Sequence, residues 1–239
     1  MSIDVKNTSM ITFIIPTIYK SPHLLQLLRT LENCDLVQEI ILVEDGVDVD
    51  KQLDKSWFHK LTIIPFTKKL WFNGCVNLGV SLVKTHLYAI SNDDILFPTS
   101  VIKDCVHHYK LRPKTGVIGM HHSVYHQYPP LLWAIELKTN TLKSEDAGWA
   151  ALMFNHKDND IIIPDDLEHY FGDNYMVSYS KYPCMTFYGD KFYTTAEDFS
   201  TSTKTYNAIE MEKMFNKEGT AYRKYLRDKP LWETLNPII

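Results

Sequence analysis

The sequence is poor in cysteine: only four occur among its 239 residues, and no two form a C-x-x-C pair. Such scattered cysteines favour free thiols in a reducing compartment over a disulfide framework. Long hydrophobic runs are also missing, since no apolar stretch approaches the roughly 20 residues of a membrane-spanning helix. The first ten residues do not resemble a signal peptide. We therefore expect a soluble protein of the cytoplasm, or of the host cytoplasm if the gene is viral, with free thiols at Cys34, Cys75, Cys105 and Cys184.

The sequence also lacks an excess of positive charge. Its 25 Lys and Arg residues face 29 Asp and Glu residues, which gives a formal net charge of -4. No uniform basic field is available to hold nucleic acid by counterion release. DNA as a substrate is therefore possible but not favoured.

Motifs of three common enzyme classes are absent. No G-x-G-x-x-G follows a strand-like run, and no G-x-x-x-x-G-K-[ST] occurs, so the backbone cradles of dinucleotide and P-loop sites are missing. The nucleophile elbow G-x-S-x-G of α/β-hydrolases is absent as well. Polar residues at the ends of strands must therefore carry the chemistry.

The sequence does contain a regular alternation of apolar strands and amphipathic helices. Its 45% apolar residues can fill one sizeable core. Strands that alternate with helices predict a parallel sheet covered on both faces. We predict strands at 11–17, 39–46, 61–66, 86–94 and 116–120, and helices after Ser21 and Pro22, over 74–85, from Pro98 to about Leu111, over 201–214 and over 219–227; LLWAIEL and AGWAALMF stay ambiguous.

Two of the predicted strands end in acidic pairs, Glu44-Asp45 and Asp93-Asp94. Parallel sheets bind ligands outside the carboxyl ends of their strands. Paired carboxylates there could hold Mg²⁺ or Mn²⁺ together with phosphate oxygens. The alternative is that these acids only cap a helix or solvate a turn.

The order of four segments, ITFIIPTIYKSPHLLQLLRTL, QEIILVEDG, FNGCVNLGV and SNDDILFP, resembles the nucleotide-binding half of family 2 glycosyltransferases with the GT-A fold. The resemblance implies an α/β fold, a Rossmann-like three-layer sandwich with a mostly parallel central sheet, in a single domain. Residues of about 10–120 would form the nucleotide-sugar-binding half, and those of about 121–239 the acceptor-facing half with C-terminal helices.

Carried over position by position, the resemblance also implies a donor site. Glu44-Asp45 replaces the usual Asp-Asp pair, and Asn92 stands where many members have an acid. Asp94 is the implied ligand of a Mn²⁺ or Mg²⁺ ion. The implied donor contacts are Pro16, Thr17 and Tyr19 around the base, Glu44 and Asp45 at base and ribose, Asn73 and Asn77 near the ribose-phosphate, and Asn92 and Asp93 beside the metal.

A catalytic acid is implied in the second half, where PDDLEHYFGDNYMVSY resembles the family's acceptor-facing region. Asp173 is the implied base, which would take a proton from the acceptor hydroxyl in an inverting displacement. Asp165 and Asp166 are rivals, and a simple helix-capping role for Asp173 is the alternative. Trp149 would lie near the sugar or the acceptor, or else in the core.

Many relatives add a metal-binding histidine near the C-terminus, but the matching stretch, TAEDFSTSTKT, has none. Glu197 or Asp198 could supply an oxygen ligand instead. Lys204 could neutralise the leaving diphosphate.

Together these residues predict a metal-dependent inverting hexosyl- or pentosyltransferase. It would use a nucleoside-diphosphate sugar, first of all a UDP-sugar, and an acceptor hydroxyl on a glycan, lipid-linked glycan, protein, small molecule or modified nucleobase. One alternative is a catalytically degenerate module that only binds sugar nucleotides. Another is a nucleotidyltransferase, disfavoured because PTIYKSPH lacks a Gly- and Arg-rich loop. A zinc site built from His107-His108, His121-His122 and His126 is a minor alternative to histidines on the surface.

Overall fold

The alternating segments of the first half form one parallel sheet with its connecting helices. The computed structural model describes residues 10–46, 53–120, 134–136, 152–188, 193–194 and 207–228. The first-half strands and helices, in chain order, are β1 (Ile11–Thr17), α1 (Leu24–Glu32), β2 (Val37–Glu44), a short 3-10 helix (Lys55–Trp57), β3 (Leu61–Ile64), α2 (Trp71–Leu82) and β4 (Leu87–Ser91).

The second half extends this sheet and adds helices beside it. Its elements are β5 (Ile95–Leu96), α3 (Thr99–Leu111), β6 (Ile118–Met120), β7 (Ala134–Glu136), β8 (Leu152–His156), α4 (Gly172–Ser178), β9 (Met185–Tyr188), β10 (Tyr193–Thr194) and α5 (Ala208–Asp228). The main sheet has eight strands in the order β3-β2-β1-β4-β8-β6-β9-β7. Only β7 and β8 run against the others. The expected mostly parallel sheet is confirmed.

Two apolar cores lie on opposite faces of the sheet. Successive side chains of a strand point to opposite faces, so Phe13 and Ile15 of β1 pack in one core while Ile14 packs in the other. The first core contains the apolar residues of α1 and α3, and the second contains those of α2, α4 and α5. Helices therefore cover both faces, which makes the predicted three-layer sandwich. All four cysteines are buried free thiols.

Three helix boundaries differ from those expected. Helix α1 begins at Leu24 rather than at Pro22, because the Ser21 hydroxyl accepts the His23 N–H in a turn that precedes the helix. Helix α2 begins three residues before Gly74. Helix α5 is one continuous helix instead of two segments. The two ambiguous apolar runs contribute β7 and the start of β8.

Within the described residues, no helix combines the length and the hydropathy that a membrane crossing requires.

We predict that Gly79 is required for α2 to pack against the sheet. A Cβ at this position would overlap the Ile14 side chain of β1, and overpacking of this kind costs about 1–3 kcal/mol. Gly79→Val should therefore lower the free energy of unfolding, measured by urea denaturation. Gly74→Ala is the control, because its Cβ would meet only the Leu70 side chain. Equal stability of the two variants would contradict this packing.

Candidate functional site

The strand order of the sheet reverses between β1 and β4, and the space at the carboxyl ends of these two strands is hereafter called the crevice. The two strands pair from Ile11 and Leu87 to Ile14 and Ile90, and the pairing stops there. Pro16 lies beyond that point and pairs only with Val43 of β2, so its missing N–H costs no bond to β4. The chain winds from β1 towards β2 and β3 and later returns to the other side of β1 as β4. Reversals of this kind are the usual ligand sites of open α/β sheets.

Thr17 and Asp93 close the bottom of the crevice. The Thr17 hydroxyl donates to Asp93 Oδ2 at 2.6 Å, and both residues are buried. The same hydroxyl oxygen accepts the Tyr19 N–H at 2.9 Å. Asp94 follows in the turn between β4 and β5 and is half-buried. The carboxyl ends of β1 and β4 are therefore joined by side chains at the point where their backbones separate.

The turn after β4 offers oxygen atoms suited to a hard cation. Asp93 and Asp94 supply carboxylates, and the Asn92 Oδ1 atom is buried without a hydrogen-bond partner among the described residues. Mg²⁺ and Mn²⁺ prefer such oxygen ligands. These residues fit the predicted metal ion, and the side-chain oxygen of Asn92, Oδ1, could be a further ligand or accept a hydrogen bond.

Tyr19 and Glu44 form one wall of the crevice. The Tyr19 hydroxyl donates to Glu44 Oε1 at 2.6 Å. Burial, followed by this hydrogen bond and the Glu44 charge, raises the pKa of Tyr19 well above its usual range. The phenol thus stays protonated and fixed in direction. Tyr19 has a left-handed backbone with φ of 58°, a conformation that bulky residues rarely adopt.

Asp45 positions the start of α2. Its Oδ1 atom accepts the N–H groups of Leu70 at 2.6 Å and Trp71 at 3.1 Å, which a helix N-terminus leaves unpaired. Burial raises the pKa of Asp45, and these two N–H groups and Lys69 oppose that rise. Lys69 itself lies 3.4 Å above the Trp71 ring. By holding the first residues of α2, Asp45 keeps the Lys69 amine and the Trp71 ring next to the carboxyl end of β2.

Asn73 and Asn77 bind protein backbone. Asn73 Nδ2 donates to the carbonyl oxygens of Leu167 at 2.8 Å and Tyr170 at 3.2 Å. Asn77 both donates to and accepts from the Ile163 backbone, at 2.7 and 3.1 Å. The two amides therefore hold the segment 163–172, hereafter the bridging segment, against α2.

The bridging segment is also held from α5 by Glu218, which the sequence analysis missed. Its carboxylate is fully buried and accepts the N–H groups of His169 and Tyr170, the latter at 2.7 Å. Burial raises the pKa of Glu218, and these N–H groups oppose the rise. A signal was present in the sequence: Glu218 lies on the apolar stripe of α5, at helical spacing from buried Met211 and Tyr222.

Asp173 lies directly after the bridging segment, at the second residue of α4. It is half-buried, and its Oδ1 atom accepts the Asn174 N–H at 2.8 Å. Burial raises the pKa of Asp173, and backbone N–H groups oppose the rise. Gly172 contacts the Asn73 side chain so closely that a Cβ would overlap it. Asp173 thus follows directly on a close contact with α2.

The rival acids are placed differently. Asp165 and Asp166 are exposed, and Asp166 accepts the Tyr225 hydroxyl at 2.7 Å. His107 is exposed, and His108 Nε2 lies 3.0 Å from the Thr115 hydroxyl. The remaining expectations fall on residues outside the described ranges: Trp149, Glu197, Asp198, Lys204, His121, His122 and His126.

Backbone strain is concentrated around this site. In the described part of the chain, the non-glycine residues with positive φ are Tyr19, Trp71 and Phe171. They follow β1, begin α2 and precede α4. Such conformations cost of order 1–3 kcal/mol each and cluster at functional sites. Tyr19 bonds Thr17 and Glu44, the Trp71 N–H bonds Asp45, and Phe171 lies two residues before Asp173.

The sequence profile of glycosyl transferase family 2 matches residues 12–180, which is well over half of the chain. The chain belongs to this family. A search of curated protein sequences gave no match. Family membership agrees with the resemblance of the strand-end motifs.

Solved structures show the same GT-A fold. S. aureus TarS 1-349 in complex with UDP-GlcNAc has a TM-score of 0.63 and 15% identity, over 83% of this chain and 62% of that one. The TarS 1-349 complex with UDP has a TM-score of 0.57 and 15% identity, over 80% and 62%. The present chain therefore covers less than two thirds of the length of the TarS fragment.

We predict that the Thr17 hydroxyl stabilises the crevice. Thr17→Val should lower the free energy of unfolding by about 1.5–3 kcal/mol, because a buried carboxylate loses a hydrogen bond. Thr62→Val is the matched control, since the Thr62 hydroxyl donates to the Glu39 carboxylate at the surface. This variant should lower the free energy of unfolding by less than about 0.5 kcal/mol. Equal losses in urea denaturation would show that the Thr17 bond has no special role.

Proposed function

We propose that this family 2 member is an inverting glycosyltransferase. It moves a hexosyl or pentosyl group from a nucleoside-diphosphate sugar to an acceptor hydroxyl on a glycan or small molecule. The observation that carries this proposal is a pair of acids at the carboxyl end of the sheet, Asp93 and Asp94 in the turn after β4, together with Asp173 at the start of α4. A UDP-sugar is the first candidate donor, because the TarS fragment of similar fold is described in complex with UDP-GlcNAc.

The donor diphosphate would bind at the turn after β4. Asp94 is the proposed ligand of Mn²⁺ or Mg²⁺, and Asp93 and Asn92 provide adjacent oxygens. When bound, such an ion supplies positive charge to the diphosphate as it leaves. Asp93 is held by Thr17, so the turn that carries Asp94 is fixed before the donor arrives.

The nucleoside would bind along the carboxyl ends of β1 and β2. Pro16, Thr17 and Tyr19 form the wall for the base, and Glu44 fixes the Tyr19 ring. Asp45, Asn73 and Asn77 act in this proposal through α2 and the bridging segment, because their side chains bind backbone groups there. Their role is to position the wall of the donor site.

Asp173 is the proposed base. The acceptor oxygen attacks the anomeric carbon while the bond from that carbon to the diphosphate oxygen breaks, and Asp173 takes the hydroxyl proton. One displacement of this kind inverts the anomeric configuration. A carboxylate with a raised pKa accepts a proton more readily, which suits a general base.

The segment after β10 would complete the site. Thr194 pairs with Ile95, the residue that follows Asp94, and the sequence continues to Glu197 and Asp198 within four residues. One of these acids is the proposed additional metal ligand. Lys204 is proposed to neutralise the diphosphate, and Trp149 to contact the sugar or the acceptor.

Calorimetric titration tests the donor site directly. Wild-type protein should bind one of UDP, GDP, CDP and TDP in the presence of Mn²⁺ and lose that binding in EDTA. Asp94→Asn should weaken Mn²⁺-dependent binding by about 100-fold or more, since even outer partners of metal ligands are worth roughly 10- to 100-fold.

Asp35→Asn serves as the control for this titration. Asp35 is exposed and precedes β2, at the opposite end of the strands. If no nucleotide bound under any condition, or if Asp94→Asn bound it as tightly as Asp35→Asn, the proposed donor site would be wrong.

A second prediction concerns Asp173 and the transfer step. Asp173→Asn should keep nucleotide affinity and lose about 10²- to 10⁴-fold in kcat, because it removes only the proton acceptor. In the wild type, kcat/KM should fall as the pH drops through the pKa of Asp173, which burial raises from its ordinary value. Release of nucleoside diphosphate from a sugar donor measures both effects.

Asp165→Asn is the matched control, because Asp165 is exposed nearby. It should retain wild-type turnover. Full turnover in Asp173→Asn would refute the assignment of the base. Tight donor binding without any release of nucleoside diphosphate by the wild type would instead identify a binding module.

A further inference from the structure

A second cluster of possible metal ligands lies where β4 begins and the neighbouring strand β8 ends, at the end of β4 opposite to the crevice. It consists of His86 just before β4, His156 at the end of β8, and Asp158 two residues later. Leu87 and His156 are paired across the junction of β4 and β8. One ring nitrogen of each histidine and a carboxylate oxygen of Asp158 all lie within 4.8 Å of one another.

Hydrogen bonding fixes the tautomer of His156. Its Nε2 atom lies 2.8 Å from the Thr115 carbonyl oxygen, and a carbonyl only accepts, so Nε2 carries the proton. Nδ1 then bears a lone pair in the neutral ring. This atom is buried, on a residue with 1% exposure, and has no hydrogen-bond partner among the described residues. A backbone carbonyl on the other ring nitrogen is the arrangement that orients metal-binding histidines.

The other two side chains are more exposed than His156. His86 Nε2 and Asp158 Oδ2 are 3.8 Å apart, with side-chain exposures of 30% and 67%. Tetrahedral zinc, with bonds near 2.0–2.1 Å, needs ligand atoms about 3.3 Å apart. Rotation of the partly exposed His86 and the exposed Asp158 side chains would have to bring the ligand atoms, now within 4.8 Å of one another, to that spacing. Lys157 and Lys181 are nearby but exposed, and the Lys181 amine bonds the Asp158 carbonyl, not its carboxylate.

We propose that His86, His156 and Asp158 bind one Zn²⁺ ion, with water as the fourth ligand. Two imidazoles and one carboxylate match zinc, whereas Mg²⁺ prefers oxygen ligands throughout. The ion would join the first residue before β4 to the end of β8. It would therefore link the parallel strands β3-β2-β1-β4 to the mixed strands β8-β6-β9-β7. This link lies at the end of β4 opposite to the proposed donor site.

Zinc titration of the metal-free full chain, in competition with a chromophoric chelator, tests this proposal. The wild type should bind one Zn²⁺ per chain and unfold at a higher temperature with zinc than without it. His86→Gln and Asp158→Asn should each weaken binding by about tenfold or more. Both side chains are partly or largely exposed, so these variants are expected to fold.

The controls carry the same substitutions on exposed residues of α3. His107→Gln and Asp104→Asn should bind zinc like the wild type. Asp94→Asn should also bind zinc with the wild-type affinity, which would show that the zinc site is distinct from the proposed donor site. Absence of zinc binding by the wild type, or equal affinity in His86→Gln and His107→Gln, would overturn the proposal.

Discussion

The hydrogen bond between Thr17 and Asp93 is the contact on which the crevice depends. β1 and β4 stop pairing at Ile14 and Ile90, so backbone bonds no longer hold their carboxyl ends together. Opening the sheet there exposes polar groups to a ligand, but it also leaves a buried carboxylate that needs a partner. The Thr17 hydroxyl meets that need, and its oxygen also accepts the Tyr19 N–H. One side chain thus joins the residues that follow β1 to the turn that follows β4.

The bridging segment is held in place by two amides and a carboxylate that bind its backbone. A connection such as the bridging segment has no ladder of its own, so its N–H and carbonyl groups need other partners. Asn73, Asn77 and Glu218 provide them from α2 and α5. These contacts are directional, whereas apolar packing is not. They therefore fix where α4 begins, and with it the position of Asp173.

The sequence was sufficient for the parallel strands and the acidic edge, because buried β-branched runs and strand-end acids are local signals. It was not sufficient for the roles of Asn73 and Asn77. Their resemblance to donor contacts is local, but their partners lie about 90 residues away and become visible only in the fold. Glu218, His86 and His156 were missed for the same reason, since their partners too become visible only in the fold. The turn at Ser21 shows the converse, since a favourable capping sequence was overridden by a local hydroxyl bond.

Burying carboxylates around the crevice and the bridging segment lowers the stability of the fold while it raises their pKa values. Asp45, Asp173 and Glu218 all have raised pKa values caused first by burial. Between the ordinary pKa of each carboxyl and its raised pKa in the fold, the folded chain binds more protons than the unfolded one, so this contribution to stability falls as the pH rises through that interval. Asp45 and Glu218 offset the cost by accepting helix and loop N–H groups. Among the described residues, the hydrogen bonds to Asp173 come from local backbone N–H groups, so less of its burial cost is offset, and a raised pKa is the property that the proposed role as a base requires.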